Sequence, residues 1–196
     1  MKIFLIAYLV LFYLTVFIWR SFRTWQATGV NPYKLGDDDT VHRFLGRLYQ
    51  LVSVAVIITV LVYVFADELY VYLTPLDWLD SQITSVIGVT FLIASLVWIT
   101  IAQIQMGNSW RIGIDSETET QLVTQGVFSV SRNPIFLGMR LNLLGLFLTL
   151  PNAFTLTIWI LGDVLLQIQV RLEEEHLLQS QGDPYRRFQE QVKRWL

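Results

Sequence analysis

The later part of the chain contains one long apolar stretch, PIFLGMRLNLLGLFLTLPNAFTLTIWILGDVLLQIQV at residues 134–170. A helix needs about 20 mostly apolar residues to cross the hydrocarbon core of a bilayer, so this stretch is too long for a single span. It is interrupted at Pro151-Asn152, two residue types that favour turns. We therefore predict a helical hairpin over Ile135–Leu150 and Ala153–Val170, with its turn at a membrane surface.

Three earlier segments are also long, apolar and free of charged residues: Ile3–Trp19, Leu48–Ala66 and Ile83–Met106. A signal peptide is the alternative for the first segment. Its apolar run is long, however, and is followed by Arg20-Ser21-Phe22-Arg23 rather than by a small-residue cleavage site. The sequence thus predicts an all-α integral membrane protein with about five transmembrane helices.

The composition excludes several classes of protein. Hydrophobic residues make up 54% of the chain and charged residues only 15%, whereas soluble domains carry roughly 25% charged residues. Intrinsic disorder is excluded by this abundance of apolar residues. A net charge of -2 leaves no basic excess for binding nucleic acid. The chain has no cysteine, so disulfides, thiolate metal sites and cysteine nucleophiles are excluded, and its two histidines are far apart.

Basic residues are distributed unevenly between the predicted loops. Segment 20–47, segment 107–133 and the tail after residue 170 carry five, two and five Lys or Arg residues, and five spans place all three on one side. The opposite side has only Lys2, and its segment 67–82 is acidic. Since cytoplasmic loops are enriched in Lys and Arg, we predict the N-terminus outside and the C-terminus in the cytoplasm.

Common motifs of soluble cofactor and hydrolase sites are missing. The sequence has no G-x-G-x-x-G, Walker, H-E-x-x-H or G-x-S-x-G pattern. The run Asp37-Asp38-Asp39 near His42 suggests a metal site, but a solvated loop or helix start capped by Asp39 or Thr40 is favoured. No metal site is predicted.

Arg132-Asn133-Pro134 directly precedes the predicted hairpin. Asn is a good N-cap and Pro suits the first helical position, so this tripeptide can begin the fourth span. The free amides of a helix start also favour an anion, and Arg132 adds a cation there. Arg132-Asn133-Pro134 can therefore serve both as the start of a helix and as part of an anion-binding site.

Each helix of the hairpin carries one ionisable residue. Arg140 lies about 9 Å inside the first helix and Asp163 about 10.5 Å before the end of the second, so they share a depth and can pair. Charges inside a membrane are costly unless paired or facing a cavity. Two roles are open for these residues: they form an ion pair that locks the hairpin, or they line a substrate cavity.

Three glutamates, Glu173-Glu174-Glu175, follow the last span. Because acids oppose the dipole at a helix C-terminus, we expect the helix to continue and to stop near Gly182-Asp183-Pro184. In that helix Gln169, Glu173 and His176 share a face. A solvated charge run is the ordinary alternative. Residues 185–195 then have the pattern of an amphipathic surface helix.

The region from about residue 105 to 196 contains five short motifs in order. They are MGNSW at 106–110, QLVTQG at 121–126, GVFSVSRNPIF at 126–136, EEEHLL at 173–178 and QGDPY at 181–185. In sequence and spacing they resemble the isoprenylcysteine carboxyl methyltransferase family, within the wider group of membrane methyltransferases that includes phospholipid methylases. The resemblance divides the chain into a three-span region, 1–104, and a methyltransferase-like region, 105–196.

The resemblance implies S-adenosylmethionine as cofactor, in a cytoplasmic pocket formed by the second region. This ligand carries a sulfonium, an ammonium and a carboxylate, so its pocket needs a carboxylate beside Arg or amide donors. The partners implied are the bilayer and a lipophilic or lipidated substrate. Carried over by position, the cofactor-binding residues are Gln121, Leu122, Val123, Phe128, Arg132, Asn133, Pro134, Phe136 and Glu173.

The implied reaction is in-line methyl transfer, in the first place carboxyl O-methylation of the isoprenylcysteine type. The sequence departs from the family in having Asn133 for His, Phe136 for Tyr and Gln169 for a substrate-contacting Arg. The catalytic candidates are Arg140, Arg171 and Glu174. The sequence also leaves open a methyl acceptor of another kind: a different lipophilic carboxylate, a thiol or an amine.

Two rival functions are kept open. The first is a membrane reductase of the sterol reductase type, which predicts binding of NADPH rather than S-adenosylmethionine. The second is a non-enzymatic interaction or transport subunit. Transporters often have paired broken helices near the midplane, whereas this sequence has one break, at the membrane edge.

Overall fold

The computed structural model describes residues 1–29, 41–107 and 122–196. This part of the chain is helical and has no β-strand, as expected where lipid cannot satisfy backbone hydrogen bonds. The α-helices are α1 (Lys2–Phe12), α2 (Arg20–Thr28), α3 (Val41–Phe65), α4 (Asp67–Tyr70), α5 (Gln82–Met106), α6 (Pro134–Thr149), α7 (Ala153–Gln181) and α8 (Asp183–Gln191). A π-helix covers Tyr13–Trp19, and 3₁₀-helices cover Val71–Leu73 and Gly126–Ser129.

All five predicted spans are helical. Four helices in the described ranges are long and apolar enough to cross a membrane: Lys2–Ala27, Arg43–Phe65, Gln82–Met106 and Ala153–Gln181. The fifth, α6, has 16 residues and so is about 24 Å long, shorter than a full hydrocarbon core of roughly 30 Å. The chain is an all-α membrane protein, and the predicted hairpin is confirmed in α6 and α7.

A π-helical segment interrupts the first span between α1 and α2. It was not foreseen from the sequence, which predicted one regular helix over Ile3–Trp19. The side chain of Gln103 on α5 donates from Nε2 to the carbonyl of Val16 at 2.9 Å, and Val16 is fully buried. A π-helical turn disturbs the regular hydrogen bonds of the helix backbone. The Gln103 side chain therefore gives the Val16 carbonyl a hydrogen-bond donor, which lipid could not supply.

Glycines allow α5 and α6 to pack closely. A Cβ added at Gly88 would lie 2.6 Å from the backbone nitrogen of Thr149 and 2.8 Å from the carbonyl oxygen of Gly145. No side chain fits in that space. This packing of backbone on backbone is typical of small residues at membrane helix interfaces.

The hairpin turn is fastened to the loop between α3 and α5. Asn152 caps α7 in a capping box with Thr155. The amide of Leu76 donates to the carbonyl of Pro151 at 2.9 Å, and the amide of Ala153 donates to that of Thr74 at 3.0 Å. Loop and turn therefore lie at one end of the bundle.

The start of α1 lies at this same end, because Lys2 forms an ion pair with Asp67. This grouping agrees with the topology expected for five spans. The inside and outside assignment of the two ends stays a prediction.

The opposite end is built from the extension of α7, the 3₁₀-helix Gly126–Ser129 and α8. As predicted, α7 continues past Val170 and ends at Gln181, with Gly182 as its C-cap at φ +62. The amphipathic helix is also present, but it ends at Gln191 rather than reaching Trp195. Its apolar residues Tyr185 and Phe188 pack against Phe128 in the protein rather than facing lipid. The helix thus closes this end of the bundle.

Candidate active site

A cavity of about 510 Å³ lies between α1, α3, α5, α6 and α7. Along α6 its lining extends from Asn133 to Leu146, and along the first span from Phe17 to Leu5. These separations of 13 and 12 residues correspond to about 18–20 Å along the helix axes. The volume is in the range of small-molecule sites. The cavity is thus an elongated chamber inside the bundle.

Polar groups concentrate at the end of this chamber nearest the 3₁₀-helix Gly126–Ser129. Arg132, Asn133, Gln169, Glu173 and Tyr49 line it there. Towards the hairpin turn the lining becomes apolar, with Leu5, Leu9, Val56, Val60, Leu92 and Leu146. One cavity therefore joins a polar end to an apolar end.

Several polar atoms at the polar end have no partner within the described ranges. The Tyr49 hydroxyl and Gln169 Oε1 are buried and form no hydrogen bond there. Asn133 Oδ1 and the Glu173 carboxylate likewise contact no donor or cation in the part of the chain that the structure describes. Buried polar atoms normally have partners, and an exception suggests a missing ligand or water. Glu173, Gln169 and Asn133 together offer three acceptors, a set that suits a cation.

Glu174 occupies a different environment, one residue along α7. Arg194 donates to Glu174 Oε2 from Nη2 at 2.8 Å and from Nε at 3.1 Å. Arg132 Nε donates to Oε1 at 3.2 Å, and Asn133 Nδ2 donates to the same atom at 2.9 Å. The Glu174 side chain is 5% exposed. This Glu174 cluster satisfies a buried carboxylate completely.

The Glu174 cluster also fastens residues 189–195 to the start of α6. Arg132 Nη1 donates to the carbonyls of Gln189 and Val192, both at 2.7 Å. The Ser131 hydroxyl donates to the carbonyl of Arg194 at 3.1 Å. The tail therefore holds two of the residues that line the polar end, Arg132 and Asn133.

Two pKa shifts follow from this packing. The hydrogen bond to Glu174 raises the pKa of Arg194 above its usual value. Burial raises the pKa of Tyr185 on α8, and the charge of Glu174 adds to that rise. Arg194 is therefore charged and Tyr185 neutral at physiological pH, which suits a fixed structural cluster.

The structure places six of the nine predicted cofactor-binding residues in the cavity lining. They are Phe128, Arg132, Asn133, Pro134, Phe136 and Glu173. Leu122 and Val123 pack instead against the apolar cluster around Phe128. Gln121 lies outside the described residues, as do Asp37–Asp39 and the helix cap proposed there.

Asn133 is the N-cap residue of α6 and Pro134 is the first residue of the helix, as predicted. Its side chain, however, makes no cap hydrogen bond and is turned towards Glu174. Nδ2 instead makes a charge-assisted hydrogen bond to the buried Glu174 carboxylate, which holds the side chain away from the cap geometry, where Oδ1 would accept from a first-turn N–H.

The three catalytic candidates lie outside the cavity lining. Arg140 forms the predicted ion pair with Asp163, which also accepts from Gln167 at 2.6 Å. The Arg140 guanidinium also lies 4.4 Å from the ring centroid of Trp195. This geometry favours an ion pair that locks the hairpin, and a catalytic role for Arg140 stays a prediction.

The other two candidates are placed differently. Arg171 is exposed and donates to the carbonyl of Gln167 at 2.9 Å. Glu174 belongs to the cluster described above. A catalytic role for these residues stays a prediction.

Sequence reasoning missed the residues that the first two spans contribute. Tyr49 at the polar end and Tyr8 at the apolar end come from α3 and α1. Both are tyrosines within mostly apolar spans, a signal that was available but was passed over in favour of ionisable groups. The first spans therefore form walls of the chamber.

A sequence profile of the phospholipid methyltransferase family matches residues 83–183, which is 101 of the 196 residues. The chain belongs to this family. The matched range contains nearly all of α5 and the whole of α6 and α7, and it includes Asn133, Gln169 and Glu173. No curated protein and no solved structure is similar enough to the chain to count as a match.

Membership fixes the general activity. The family comprises membrane methyltransferases related to the isoprenylcysteine carboxyl methyltransferases, which confirms the resemblance seen in the sequence. The chain is therefore a membrane methyltransferase that acts on lipophilic substrates. A chamber with one polar and one apolar end suits that activity.

Proposed function

We propose that the protein transfers a methyl group from S-adenosylmethionine to a lipophilic acceptor, and that both meet in the chamber. The observation that carries the proposal is the continuity of the chamber. A polar end with unpartnered acceptors opens directly into an apolar end inside the bundle. A charged donor and a lipid-like acceptor can therefore reach each other without leaving the protein.

The residues at the polar end fit the donor. S-adenosylmethionine carries a sulfonium and an ammonium, and Glu173, Gln169 Oε1 and Asn133 Oδ1 are acceptors without protein partners in the described ranges. Its carboxylate suits the start of α6, because the N–H groups of the first helical turn have no hydrogen-bond acceptor within the helix. The Tyr49 hydroxyl is free for one further hydrogen bond.

Glu173 rather than Glu174 is the carboxylate that we assign to the donor. Glu174 already receives hydrogen bonds from Arg132, Arg194 and Asn133. Its role is to orient the Asn133 amide so that Nδ2 is used and Oδ1 is left free. Glu174 thereby positions a binding residue.

The chain's own residues contribute alignment and exclusion of water. When bound, S-adenosylmethionine supplies an electrophilic methyl group on its sulfonium. The Glu174 cluster fixes Arg132 and Asn133 at the polar end, and the apolar wall would exclude water from the acceptor. A carboxylate acceptor needs no general base, since it is already deprotonated.

Carboxyl O-methylation of the isoprenylcysteine type is the first acceptor chemistry to test. Methylation of a lipophilic amine is the second, and one observation favours it. Arg132 is the only Lys or Arg among the described lining residues, and it is already ion-paired with Glu174. The described lining therefore offers an acceptor carboxylate no cation that is free to pair with it, whereas a neutral amine needs none.

The rival NADPH reductase fits this lining poorly. Its cofactor carries several phosphate charges, which proteins bind with Arg, Lys or helix N-termini. Acceptor groups dominate the described polar end, and Arg132 is already engaged.

The test is methyl transfer from S-adenosylmethionine labelled in its methyl group. Purified protein in lipid vesicles is offered long-chain acids, prenylated cysteines and long-chain amines in separate reactions. We expect label in the organic phase, and alkali should release it from methyl esters but not from methylamines. Folded protein that labels no acceptor in the panel would contradict the proposal.

Glu173→Gln should lose this transfer, whereas the matched variant Glu175→Gln should keep it. Glu175 lies on the same helix, is exposed and does not line the chamber. Equal loss in both variants would remove Glu173 from the assigned role.

A further inference from the structure

A buried polar cluster lies in the apolar part of the chamber. The Tyr8 hydroxyl is 2.9 Å from the carbonyl oxygen of Leu92 and also donates to Asn142 Oδ1. The Ser95 hydroxyl donates to the same carbonyl at 2.7 Å and lies 3.2 Å from Asn142 Oδ1. The Tyr8–Ser95–Asn142 cluster thus joins α1, α5 and α6 inside the membrane.

One polar group of this cluster has no hydrogen-bond partner in the described part of the chain. The Asn142 amide group Nδ2 carries two donor hydrogens, and it has no hydrogen-bond partner in the described part of the chain. Asn142 is half-buried and lines the chamber, as do its helix neighbours Met139, Leu143 and Leu146. An unpaired donor on an apolar wall is costly in a membrane protein.

The position of Asn142 separates it from the methyl-transfer end. It follows Asn133 by nine residues on α6, which is about 13.5 Å along the helix. Tyr8 likewise lies nine residues before Phe17, whose side chain lines the chamber further along the first span. A ligand that reaches Asn142 from the polar end must therefore be long and mostly apolar.

We propose that Asn142 donates a hydrogen bond to an oxygen carried within the apolar chain of the methyl acceptor. The chamber would then select acceptors with a carbonyl, hydroxyl or ether oxygen in mid-chain over acceptors with a plain hydrocarbon chain. The inference rests on the proposed function only in naming the occupant as the acceptor. Tyr8 positions the amide by donating to its oxygen, whereas the Ser95 hydroxyl donates to the carbonyl of Leu92.

A purely structural role for the cluster predicts a different outcome. In that case Asn142 matters only for holding α1, α5 and α6 together, and the chemistry of a bound chain is irrelevant to it. Ser95 separates the two roles, because it belongs to the cluster but does not line the chamber.

The test is a positional scan of ligand oxygen. Octadecanoic acid and a series of oxo-octadecanoic acids, each with its keto group at a different carbon, compete with a fluorescent fatty acid for the full-length protein in detergent. We expect one narrow band of positions to bind about fivefold more tightly than octadecanoic acid, the gain typical of one hydrogen bond.

Three variants complete the scan. Asn142→Leu should lose the preference while binding octadecanoic acid at least as tightly as the unchanged protein. Asn142→Ala serves the same purpose if Asn142→Leu does not fold. Ser95→Ala should lower thermal stability and keep the preference. The inference is overturned if no keto position is preferred, if the preference survives in the Asn142 variants, or if no chain binds.

Titration of the same samples with S-adenosylmethionine reports separately on the proposed function. Donor binding without a keto preference would overturn only the role of Asn142. A keto preference without donor binding would overturn the methyl donor and leave the subsite standing.

Discussion

Glu173 and Glu174 are adjacent on α7, yet their carboxylates meet opposite surroundings. Glu174 is bound by Arg132, Arg194 and Asn133, while Glu173 lines the chamber without a partner in the described ranges. Neighbouring residues on a helix point about 100° apart, so one helix can serve both tasks. The pair separates a structural carboxylate from one that is free for a ligand.

Removing the charge of Glu174 should destabilise the protein. Glu174→Gln leaves Arg132 buried without a counter-charge, and Arg132 also holds the carbonyls of Gln189 and Val192. We expect a loss of about 3 kcal/mol in unfolding free energy, because breaking a buried pair strands the other charge. Thermal unfolding in detergent, followed by tryptophan fluorescence, measures it.

The control for Glu174→Gln is Glu175→Gln, a change of the same chemistry at an exposed position of the same helix. It should leave the unfolding temperature within error. Equal stability of the two variants would show that the Glu174 cluster does not hold the tail.

The Arg140–Asp163 ion pair should show strong coupling. Each single change to Ala leaves an uncompensated charge between α6 and α7, so the double variant should lose less than the sum of the single losses. A coupling energy of about 0.5–3 kcal/mol is typical of residues in contact. A double-mutant cycle on unfolding free energies measures it, and additive losses would refute the contact.

Tyr49→Phe should separate stability from binding. The hydroxyl is buried and without a hydrogen bond in the described part of the chain, so removing it should not lower stability. If the hydroxyl contacts the donor, the Kd for S-adenosylmethionine should rise about fivefold. Isothermal titration and thermal unfolding of one preparation give both quantities.

Tyr72→Phe is the matched control for Tyr49→Phe, because Tyr72 is 80% exposed and far from the lining. It should change neither quantity. A Tyr49→Phe variant that is less stable but binds S-adenosylmethionine normally would show that the hydroxyl stabilises the fold and does not contact the donor.

The contact between α5 and α6 should not tolerate a side chain at Gly88. Gly88→Ala places a Cβ 2.6 Å from the backbone nitrogen of Thr149, which cannot move like a flexible side chain. We expect a loss of about 1–3 kcal/mol from overpacking. The comparison variant is Ala94→Val on the exposed face of α5, which should unfold at an unchanged temperature. Matching behaviour of both would contradict the tight packing.

The sequence was sufficient for features that depend on nearby residues. Apolar runs located the five spans, helical spacing placed Gln169 and Glu173 on one face, and the equal depth of Arg140 and Asp163 predicted their ion pair. Six of the residues that the family motifs assign to the cofactor line the chamber, and their role in binding it stays a prediction. The spans, the shared face and the ion pair need only the regular geometry of helices.

Features that depend on distant residues were not predictable. The family motif assigned Glu173 to the cofactor and Glu174 to catalysis, but the sequence did not show that Glu174 is bound by Arg132 and Arg194, which lie 42 and 20 positions away. Tyr8 meets Asn142 across 134 positions. Such contacts are set by the packing of whole helices, which a single sequence does not reveal.

The most direct test of the account is isothermal titration of the full-length protein and two variants with S-adenosylmethionine. We predict saturable binding to the unchanged protein and to Glu175→Gln. For Glu173→Gln we predict a Kd at least about tenfold higher, as expected for losing a hydrogen bond to a charged group. No saturable heat from the folded, unchanged protein, or equal affinity in all three samples, would contradict the account.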